Sequence, residues 1–236
     1  MAKRVVLFGS SANPPTGLGG HMGIVKYFAD LFDEVWILPV YRHAYASKRE
    51  LEAFDERIAM LQLSLEDCGL ANRNVYVKEY EKECLYSLYP DYGKTVQTVA
   101  YGSIDLIRWL KQRFPDVVFS MIVGEDAFVD ILHDKWRESA SLRQSLHFEV
   151  LHREGVEFDL EDAKGDWFTI HTIASLGDVS STKARSASTL QELSQIVTPS
   201  VASYIATHHL YFFHSPLCCN KQCKQNMKQQ VTEAHC

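Results

Sequence analysis

Short apolar runs alternate with stretches of helical periodicity along most of the chain. Six runs have the length and composition of buried strands, at 5–8, 35–40, 75–79, 117–123, 148–152 and 167–173. Five stretches have the spacing of helices, at 22–32, 54–65, 96–114, 182–193 with breaks, and 199–208. Strands that alternate with helices form βαβ units, in which helices cover both faces of a parallel sheet. We therefore predict an α/β fold of the Rossmann-like type, with three layers and a mostly parallel sheet.

The alternation ends at residue 211, so we predict one domain over 1–211. Residues 212–236 are rich in Cys, Lys and Gln and poor in aliphatic side chains, which predicts a disordered tail. Four of the six cysteines lie in this tail, so the body of the chain has no disulfide framework. This cysteine usage favours a reducing compartment and a cytoplasmic location, with a nuclear one left open.

Composition excludes two classes of partner. The formal net charge of the 236-residue chain is −6, which argues against a general attraction to nucleic acid. No apolar run reaches the roughly 18 residues of a membrane helix, and the amino terminus lacks the pattern of a signal peptide. We therefore expect neither nucleic acid nor a membrane as a partner, whereas binding of a small anion is compatible with this composition.

Two glycine patterns resemble nucleotide-binding motifs but fail on spacing. In the first, Gly17 and Gly19 would need a third glycine at the position of Met22 to complete a dinucleotide fingerprint. In the second, Gly93 precedes Lys94 and Thr95 as in a P-loop, but the first glycine of that motif would fall on Leu88. Both motifs are excluded.

The turn after the first strand has the composition of a phosphate site. It begins with Gly9 and Ser10, continues through Thr16, and ends with Gly20 and His21, where a helix is predicted to start. Glycine allows a close approach of backbone to an anion, and a helix N-terminus carries about half a positive charge. A histidine here can donate a hydrogen bond to a phosphoryl oxygen, although an ordinary surface histidine near a helix cap is the simpler alternative.

Two further turns lie at the carboxyl ends of predicted strands, where ligands of such sheets bind. Ser181 and Thr182 open a predicted helix, and Arg185 lies one turn further with a planar fork suited to phosphate. Gly124 and Asp126 follow the fourth strand, and the Asp126 carboxylate can accept from ribose hydroxyls. Trp136 lies downstream, and an indole of this kind can stack on a planar base or pack in the core.

In this order, the three turns resemble the nucleotidyltransferases that carry an H/T-x-G-H and an S-S-T-x-x-R motif. Within that superfamily the match is to the nicotinate and nicotinamide mononucleotide adenylyltransferases. It extends to Ser103-Ile-Asp105, Arg57-x-x-Met60 and the closing segment 201–211. One departure stands out, because the segment from Thr16 to His21 is two residues longer than the family spacing. The longer loop either bulges outward with both ends in register or moves Thr16 away from the phosphates.

The resemblance implies that 1–211 is an adenylyltransferase domain in which a pyridine mononucleotide attacks ATP, accompanied by Mg²⁺, and pyrophosphate leaves. It implies catalytic roles for His21, Arg185 and Lys48, with no metal ligand supplied by the protein. ATP and its phosphates would be bound by eight residues, namely Gly9, Ser10, Thr16, Gly20, Gly124, Asp126, Ser181 and Thr182. Ser103 and Trp136 would bind the mononucleotide.

Two alternatives remain open from the sequence. A related transferase with another phosphorylated acceptor, such as phosphopantetheine, would use the same turns. A regulatory relative that binds ATP without turning it over would follow if the longer loop had displaced Thr16. The sequence does not choose between nicotinate and nicotinamide mononucleotide, and it leaves a homo-oligomer open.

Overall fold

The computed structural model describes residues 2–41, 51–96, 99–152 and 163–212, and these contain one six-stranded sheet. Its strands are β1 (Lys3–Ser10), β2 (Glu34–Pro39), β3 (Val75–Val77), β4 (Val117–Gly124), β5 (His147–His152) and β6 (Phe168–Thr172). The spatial order is β3-β2-β1-β4-β5-β6, and every neighbouring pair is parallel. The predicted Rossmann-like α/β fold is confirmed.

Nine α-helices are found in the described residues. They are α1 (His21–Ala29), α2 (Phe54–Asp67), α3 (Tyr80–Leu88), α4 (Ser103–Arg113), α5 (Glu125–Leu132), α6 (Ser139–Ser145), α7 (Ser181–Ser186), α8 (Leu190–Ser194) and α9 (Pro199–His208). None of the described helices is long and apolar enough to cross a membrane.

Helices cover both faces of the sheet, because alternate side chains of the strands are buried on opposite faces. Val5 and Leu7 of β1 belong to a core cluster with side chains of α4, α5 and α6. Val6 and Phe8 belong to a second cluster with side chains of α1 and α2. Full burial of one such side chain contributes about 1.5–3 kcal/mol. The two clusters hold the three layers together.

A third cluster lies beside the sheet and positions α7. Met60 of α2 packs there with Ala184 of α7 and with Val201 of α9. The Asp67 carboxylate at the end of α2 accepts from the backbone N–H and the hydroxyl of Ser200, at 2.8 and 2.7 Å. These hydrogen bonds lower the pKa of Asp67. The cluster fixes the segment that carries a predicted phosphate turn, the one formed by Ser181, Thr182 and Arg185. This turn is called the second phosphate turn.

Several element boundaries differ from the sequence prediction. The helix expected from 96 begins at Ser103, because the Asp105 carboxylate accepts the Gly102 N–H at 2.9 Å and caps the helix there. Helices α3, α5 and α6 were not predicted, and each is only seven to nine residues long. Such short helices depend on tertiary packing more than on local periodicity. The predicted break within 182–193 is confirmed between α7 and α8.

Candidate active site

The carboxyl ends of β1 and β4 meet at the middle of the sheet, where the strand order reverses. β2 and β3 lie on one side of β1, whereas β5 and β6 lie beyond β4. Phe8 pairs with Ile122, so the two strands end side by side, β1 at Ser10 and β4 at Gly124. Ligands of open α/β sheets bind in the crevice outside such a switch point. The first and third predicted turns therefore open onto one crevice.

Thr16 and His21, at the two ends of the lengthened loop, are joined by three close polar contacts. The Thr16 hydroxyl lies 2.7 Å from Nδ1 of His21 and accepts the His21 backbone N–H at 2.8 Å. The Thr16 backbone N–H donates to the same Nδ1 at 3.0 Å. Thr16 is 1% exposed. Its hydroxyl caps α1 in place of Gly20, the residue at the N-cap position, which has no side chain to do so.

The extra residues of the loop form an outward turn that is anchored on both sides. The Gly17 N–H donates to the Ile196 carbonyl at 2.9 Å, and the Gly19 carbonyl accepts the Gly177 N–H at 2.8 Å. Leu18, at the tip, is 47% exposed. The lengthened loop thus bulges outward and leaves its two ends in register, which is the first of the two outcomes expected from the sequence.

This packing requires glycine at one position of the turn and at one position of α1. A Cβ at Gly20 would lie 2.2 Å from the Thr16 hydroxyl oxygen and 2.9 Å from Cγ2 of Val179. A Cβ at Gly23 would lie 2.0 Å from the Leu18 carbonyl oxygen. Heavy atoms cannot approach so closely, so both positions exclude any larger residue without a shift of the loop. Gly20 was singled out from the sequence, whereas Gly23 was not.

The environment of His21 keeps its imidazole neutral. Burial lowers the pKa of His21 to about 4, and its ring lies 5.9 Å from the Phe8 ring. In the described segments no carboxylate forms an ion pair with this histidine. At pH 7 the side chain can therefore contact a phosphate through a hydrogen bond rather than as a cation.

The first backbone amides of α1 are used within the turn itself. The His21 N–H is bonded to the Thr16 hydroxyl, and the Met22 N–H lies 3.2 Å from the carbonyl oxygens of Thr16 and Gly17. The sequence favoured a cradle of free amides at this point. The structure uses these two amides to hold the turn, so side chains must supply more of the contact with an anion.

The second phosphate turn is hydrogen-bonded directly to the first. The Ser181 hydroxyl donates to the Pro14 carbonyl at 2.8 Å, and the Arg185 guanidinium donates to the Asn13 carbonyl at 2.6 Å. The same guanidinium also donates to the Thr182 hydroxyl at 3.2 Å. Residues some 170 positions apart in sequence are thus brought together. The structure places this part of the predicted site beside the first turn.

Arg57 is a buried cation beneath the first turn. It is 1% exposed and donates to the carbonyls of Ser11, Val40 and Glu52, at 2.8, 2.7 and 2.9 Å. Burial lowers the pKa of Arg57, but a guanidinium keeps its charge at neutral pH. These bonds tie together the segments that follow β1 and β2. The sequence showed Arg57 only as part of a resemblance pattern, with no role attached.

Ser103 and Trp136, predicted to bind the mononucleotide, lie in adjoining segments. Ser103 is the first residue of α4, and Trp136 packs at the edge of the first core cluster. Arg137 connects the segments, because its guanidinium donates to the Asp105 carboxylate at 2.6 Å and to the Ala100 carbonyl. The two residues are therefore positioned by one ion pair, and their contact with a ligand remains a prediction.

The turn after β4 is open. Gly124 is exposed, and a Cβ at this position would meet no atom within 4 Å. Asp126 is exposed in the first turn of α5, where a carboxylate interacts favourably with the helix dipole. The neighbouring Glu125 forms a hydrogen-bonded pair with Nδ1 of His152 at the end of β5. Nothing in the sequence predicts this pair.

The remaining predicted residues fall into two groups. Gly9 and Ser10 close β1, and the Ser10 hydroxyl accepts the Ala12 N–H at 3.1 Å. Lys48 lies outside the described residues, as does the tail from 213 onwards. The ligand-binding roles given to all these residues remain predictions.

Glu81 is a further titratable group that sequence reasoning missed. Its side chain lies at the start of α3 and accepts the N–H of Tyr41 at 3.0 Å. Tyr41 lies two residues after the end of β2. Burial raises the pKa of Glu81 to about 7, despite the hydrogen bond and the nearby Arg57 cation. Its sequence context, an exposed-looking run of charged residues, gives no sign of this burial.

Comparison with known proteins supports the fold and identifies the family. The sequence model of the cytidylyltransferase-like family matches residues 7–187. A probable nicotinate-nucleotide adenylyltransferase of Albidiferax ferrireducens is 30% identical over 218 residues, covering 89% of this chain and 98% of the relative. One from Chlorobaculum parvum is 26% identical over 210 residues, covering 88% and 98%.

Among solved structures, the chain is similar to Plasmodium falciparum nicotinic acid mononucleotide adenylyltransferase complexed with NaAD. The TM-score is 0.71 at 19% identity, and the match covers 90% of this chain and 98% of that one. This likeness supports the fold. The family match and the relative that is 30% identical show that the chain belongs to the cytidylyltransferase-like family, in the branch formed by the nicotinate-nucleotide adenylyltransferases.

Proposed function

We propose that this protein transfers the adenylyl group of ATP to nicotinate mononucleotide, giving nicotinate adenine dinucleotide and pyrophosphate. The observation that carries the proposal is the meeting of two phosphate-type turns at the switch point of the sheet. His21 lies on one of these turns and Arg185 on the other, and the Arg185 guanidinium is hydrogen-bonded to the Asn13 carbonyl of the first. The names of the relatives support nicotinate mononucleotide as the acceptor.

In this reaction an oxygen of the mononucleotide 5′-phosphate attacks the α-phosphorus of ATP. A new P–O bond forms, the bond from the α-phosphorus to the bridging oxygen of the β-phosphate breaks, and pyrophosphate leaves with that electron pair. Such transfers depend mainly on alignment of the two phosphates and on stabilisation of charge. No covalent intermediate with the protein is needed.

The phosphates of both substrates would lie between the turn that ends at His21 and the turn that carries Arg185. His21 would donate a hydrogen bond to the α- and β-phosphates, whereas Arg185, Ser181 and Thr182 would contact the triphosphate. The Arg185 fork contributes a charge that persists at every physiological pH. Lys48 is proposed as a second cation for the reacting phosphates, on the resemblance alone. Arg57 lies beneath the turn and would act by holding its backbone.

Magnesium enters this proposal as part of the substrate, in the form of Mg·ATP. The side chains gathered at the two turns are hydroxyl groups, an imidazole and a guanidinium, which suit phosphate oxygens rather than a hard cation. The ATP phosphates would therefore hold the ion, and the protein would bind the complex.

The rest of the two substrates would occupy the open side of the crevice. Asp126 would accept hydrogen bonds from the ATP ribose, since its exposed carboxylate lies directly after β4. Trp136 and Ser103 would contact the pyridine ring and its substituent, which places the acceptor near the start of α4. The Arg137 to Asp105 ion pair would keep these two segments in place.

The sequence left open an inactive ATP-binding relative, in which the longer loop moves Thr16 away from the phosphates. The three contacts between Thr16 and His21 hold the two ends of the loop together, which supports an active enzyme over this alternative. A transferase with phosphopantetheine as acceptor would use the same turns, and it is therefore tested directly.

The decisive experiment measures pyrophosphate release from Mg·ATP with nicotinate mononucleotide, nicotinamide mononucleotide or phosphopantetheine as acceptor. We expect release with nicotinate mononucleotide, and a lower kcat/KM with its amide. Arg185→Ala should lose most of this activity, whereas Arg73→Ala, which removes an arginine paired with Asp30 far from the crevice, should not. Release with phosphopantetheine alone would refute the acceptor, and ATP binding without release from any mixture would refute the enzyme.

A further inference from the structure

We infer that Thr16 is a positioning residue that fixes His21 as the tautomer with its proton on Nε2 and turns that N–H towards the crevice. The inference deepens the proposed function, on which it rests for the identity of the ligand. It assigns to Thr16 a role that differs from the phosphate contact implied by the resemblance. Thr16 would act on the substrate only through His21.

The hydrogen bonds around Nδ1 determine where the proton of the ring must be. The backbone N–H of Thr16 can only donate, and it lies 3.0 Å from Nδ1 with acceptable geometry. Nδ1 must therefore accept, so it carries no proton. In a neutral imidazole the proton is then on Nε2, at the other side of the ring.

The Thr16 hydroxyl completes the same pattern. Its oxygen accepts the His21 backbone N–H at 2.8 Å, which leaves its own proton to be donated to Nδ1 at 2.7 Å. One hydroxyl thus binds both the backbone and the ring of His21. With donors on the Thr16 side, the ring presents Nε2–H away from Thr16, and a donor of this kind suits a phosphate oxygen.

The surrounding structure leaves the hydroxyl little freedom. Thr16 is 1% exposed, and a β-branched side chain has few rotamers to choose from. Glycine at position 20 makes room for the Thr16 hydroxyl, since a Cβ there would lie 2.2 Å from the hydroxyl oxygen. The outward turn at 17–19 allows the chain to supply two extra residues without lengthening the Thr16 to His21 contact. Burial against Phe8 further disfavours a charged ring.

The first test is a ¹⁵N-edited NMR spectrum of the histidine side chains at pH 7, with the His21 signals assigned by their loss in His21→Ala. We expect a neutral His21 ring with its proton on Nε2. Addition of pyrophosphate should shift Nε2–H while Nδ1 stays unprotonated. A ring protonated on Nδ1, or a charged ring, would overturn the inference.

Two variants test the hydroxyl itself. Thr16→Ser keeps the hydroxyl and should retain kcat within about threefold, whereas Thr16→Val should lower kcat by about 10- to 100-fold with little change in the KM for ATP. In Thr16→Val the pKa of His21 should rise, since the neutral ring loses the hydroxyl that donates to Nδ1. Wild-type kcat together with a wild-type His21 spectrum in Thr16→Val would contradict the inference.

These measurements separate the inference from the proposed function. The spectrum of the wild-type protein is recorded without substrate, so it decides the tautomer even where Thr16→Val fails to fold. An Nε2–H tautomer in a protein that releases no pyrophosphate with any acceptor would refute the proposed function and support the tautomer assignment. Activity with nicotinate mononucleotide and an Nδ1–H tautomer would do the reverse.

Discussion

The turns after β1 and β4 open onto the same crevice but are built in opposite ways. In the first, Thr16 holds both the backbone and the ring of His21, and the loop between them is bonded to two other segments. In the turn after β4, Gly124 is exposed, and a Cβ added to it would meet no atom within 4 Å. One turn is braced by its own polar groups, whereas the other is open to solvent.

This difference indicates a division of labour. A transfer between two phosphates tolerates little error in the position of the groups that contact them, because misplacement by about 1 Å can cost about 100-fold in rate. A group that holds the ribose adds binding energy at a distance from the reacting bond. The braced turn is therefore expected to control kcat and the open turn KM, and the following variants test that expectation.

Loss of the imidazole should have the largest effect. We predict that His21→Ala lowers kcat by several hundredfold, which corresponds to about 3.5 kcal/mol, since it removes the proposed donor to the reacting phosphates. The protein should stay folded by circular dichroism. His133→Ala, which changes an exposed histidine at the end of α5, is the matched control and should be silent. Near-normal turnover in His21→Ala would end the role given to this residue.

The two glycines offer a direct contrast in stability. Gly20→Ala places a Cβ against the buried Thr16 hydroxyl and should lower the free energy of unfolding by about 1–3 kcal/mol, with a loss of activity. Gly124→Ala should change stability by less than about 0.5 kcal/mol, because its Cβ meets only open space. Urea unfolding of both variants measures the difference. Equal effects would show that the first turn is less tightly packed than described.

The neutral state of His21 predicts a dependence of stability on pH. Its pKa is about 6.5 in an unfolded chain and about 4 in the folded one, so between these values the unfolded state binds more protons. The contribution is complete above about pH 6.5 and is lost as the pH falls towards 4. Between pH 7 and pH 5 the wild type should lose about 1–2 kcal/mol more than His21→Gln in urea unfolding. Parallel curves for the two proteins would contradict this prediction.

The fold could be predicted because its signals are local and repeated. Buried parallel strands form apolar runs, and amphipathic helices show their period, so the order of elements follows from the chain itself. The helices α3, α5 and α6 were not predicted, because each is short and depends on contacts with distant segments. The start of α4 was missed because it depends on a cap, Asp105 bonded to Gly102, within a longer stretch of helical periodicity.

The candidate site was only partly accessible to sequence reasoning. The motif residues His21, Ser181 and Arg185 could be selected from their positions after predicted strands. The buried Arg57 and the half-buried Glu81 could not be predicted, because nothing in the neighbouring sequence shows that they are removed from solvent. The orientation of the His21 ring could not be predicted either, since it depends on a backbone N–H and a hydroxyl five residues away. The spacing of residues in the sequence predicts which side chains form a site, whereas the direction of their hydrogen bonds depends on the folded structure.

Removal of the Asp126 carboxylate should have the smallest effect and should act on binding alone. Asp126 is exposed in the first turn of α5, so Asp126→Ala removes the proposed hydrogen bond to the ribose without disturbing any packing. A charged hydrogen bond of this kind contributes about 1.5 kcal/mol or more, so the KM for ATP should rise about tenfold while kcat stays within about threefold.

Asp116→Ala is the matched control for this variant, because Asp116 is exposed just before the opposite end of β4. Its KM for ATP should equal that of the wild type. A large fall in kcat for Asp126→Ala would show that the open turn also aligns the phosphates, and the division of labour between the two turns would then be wrong. An unchanged KM would instead place the ribose elsewhere, and the pair of Glu125 with His152 would be the next site to examine.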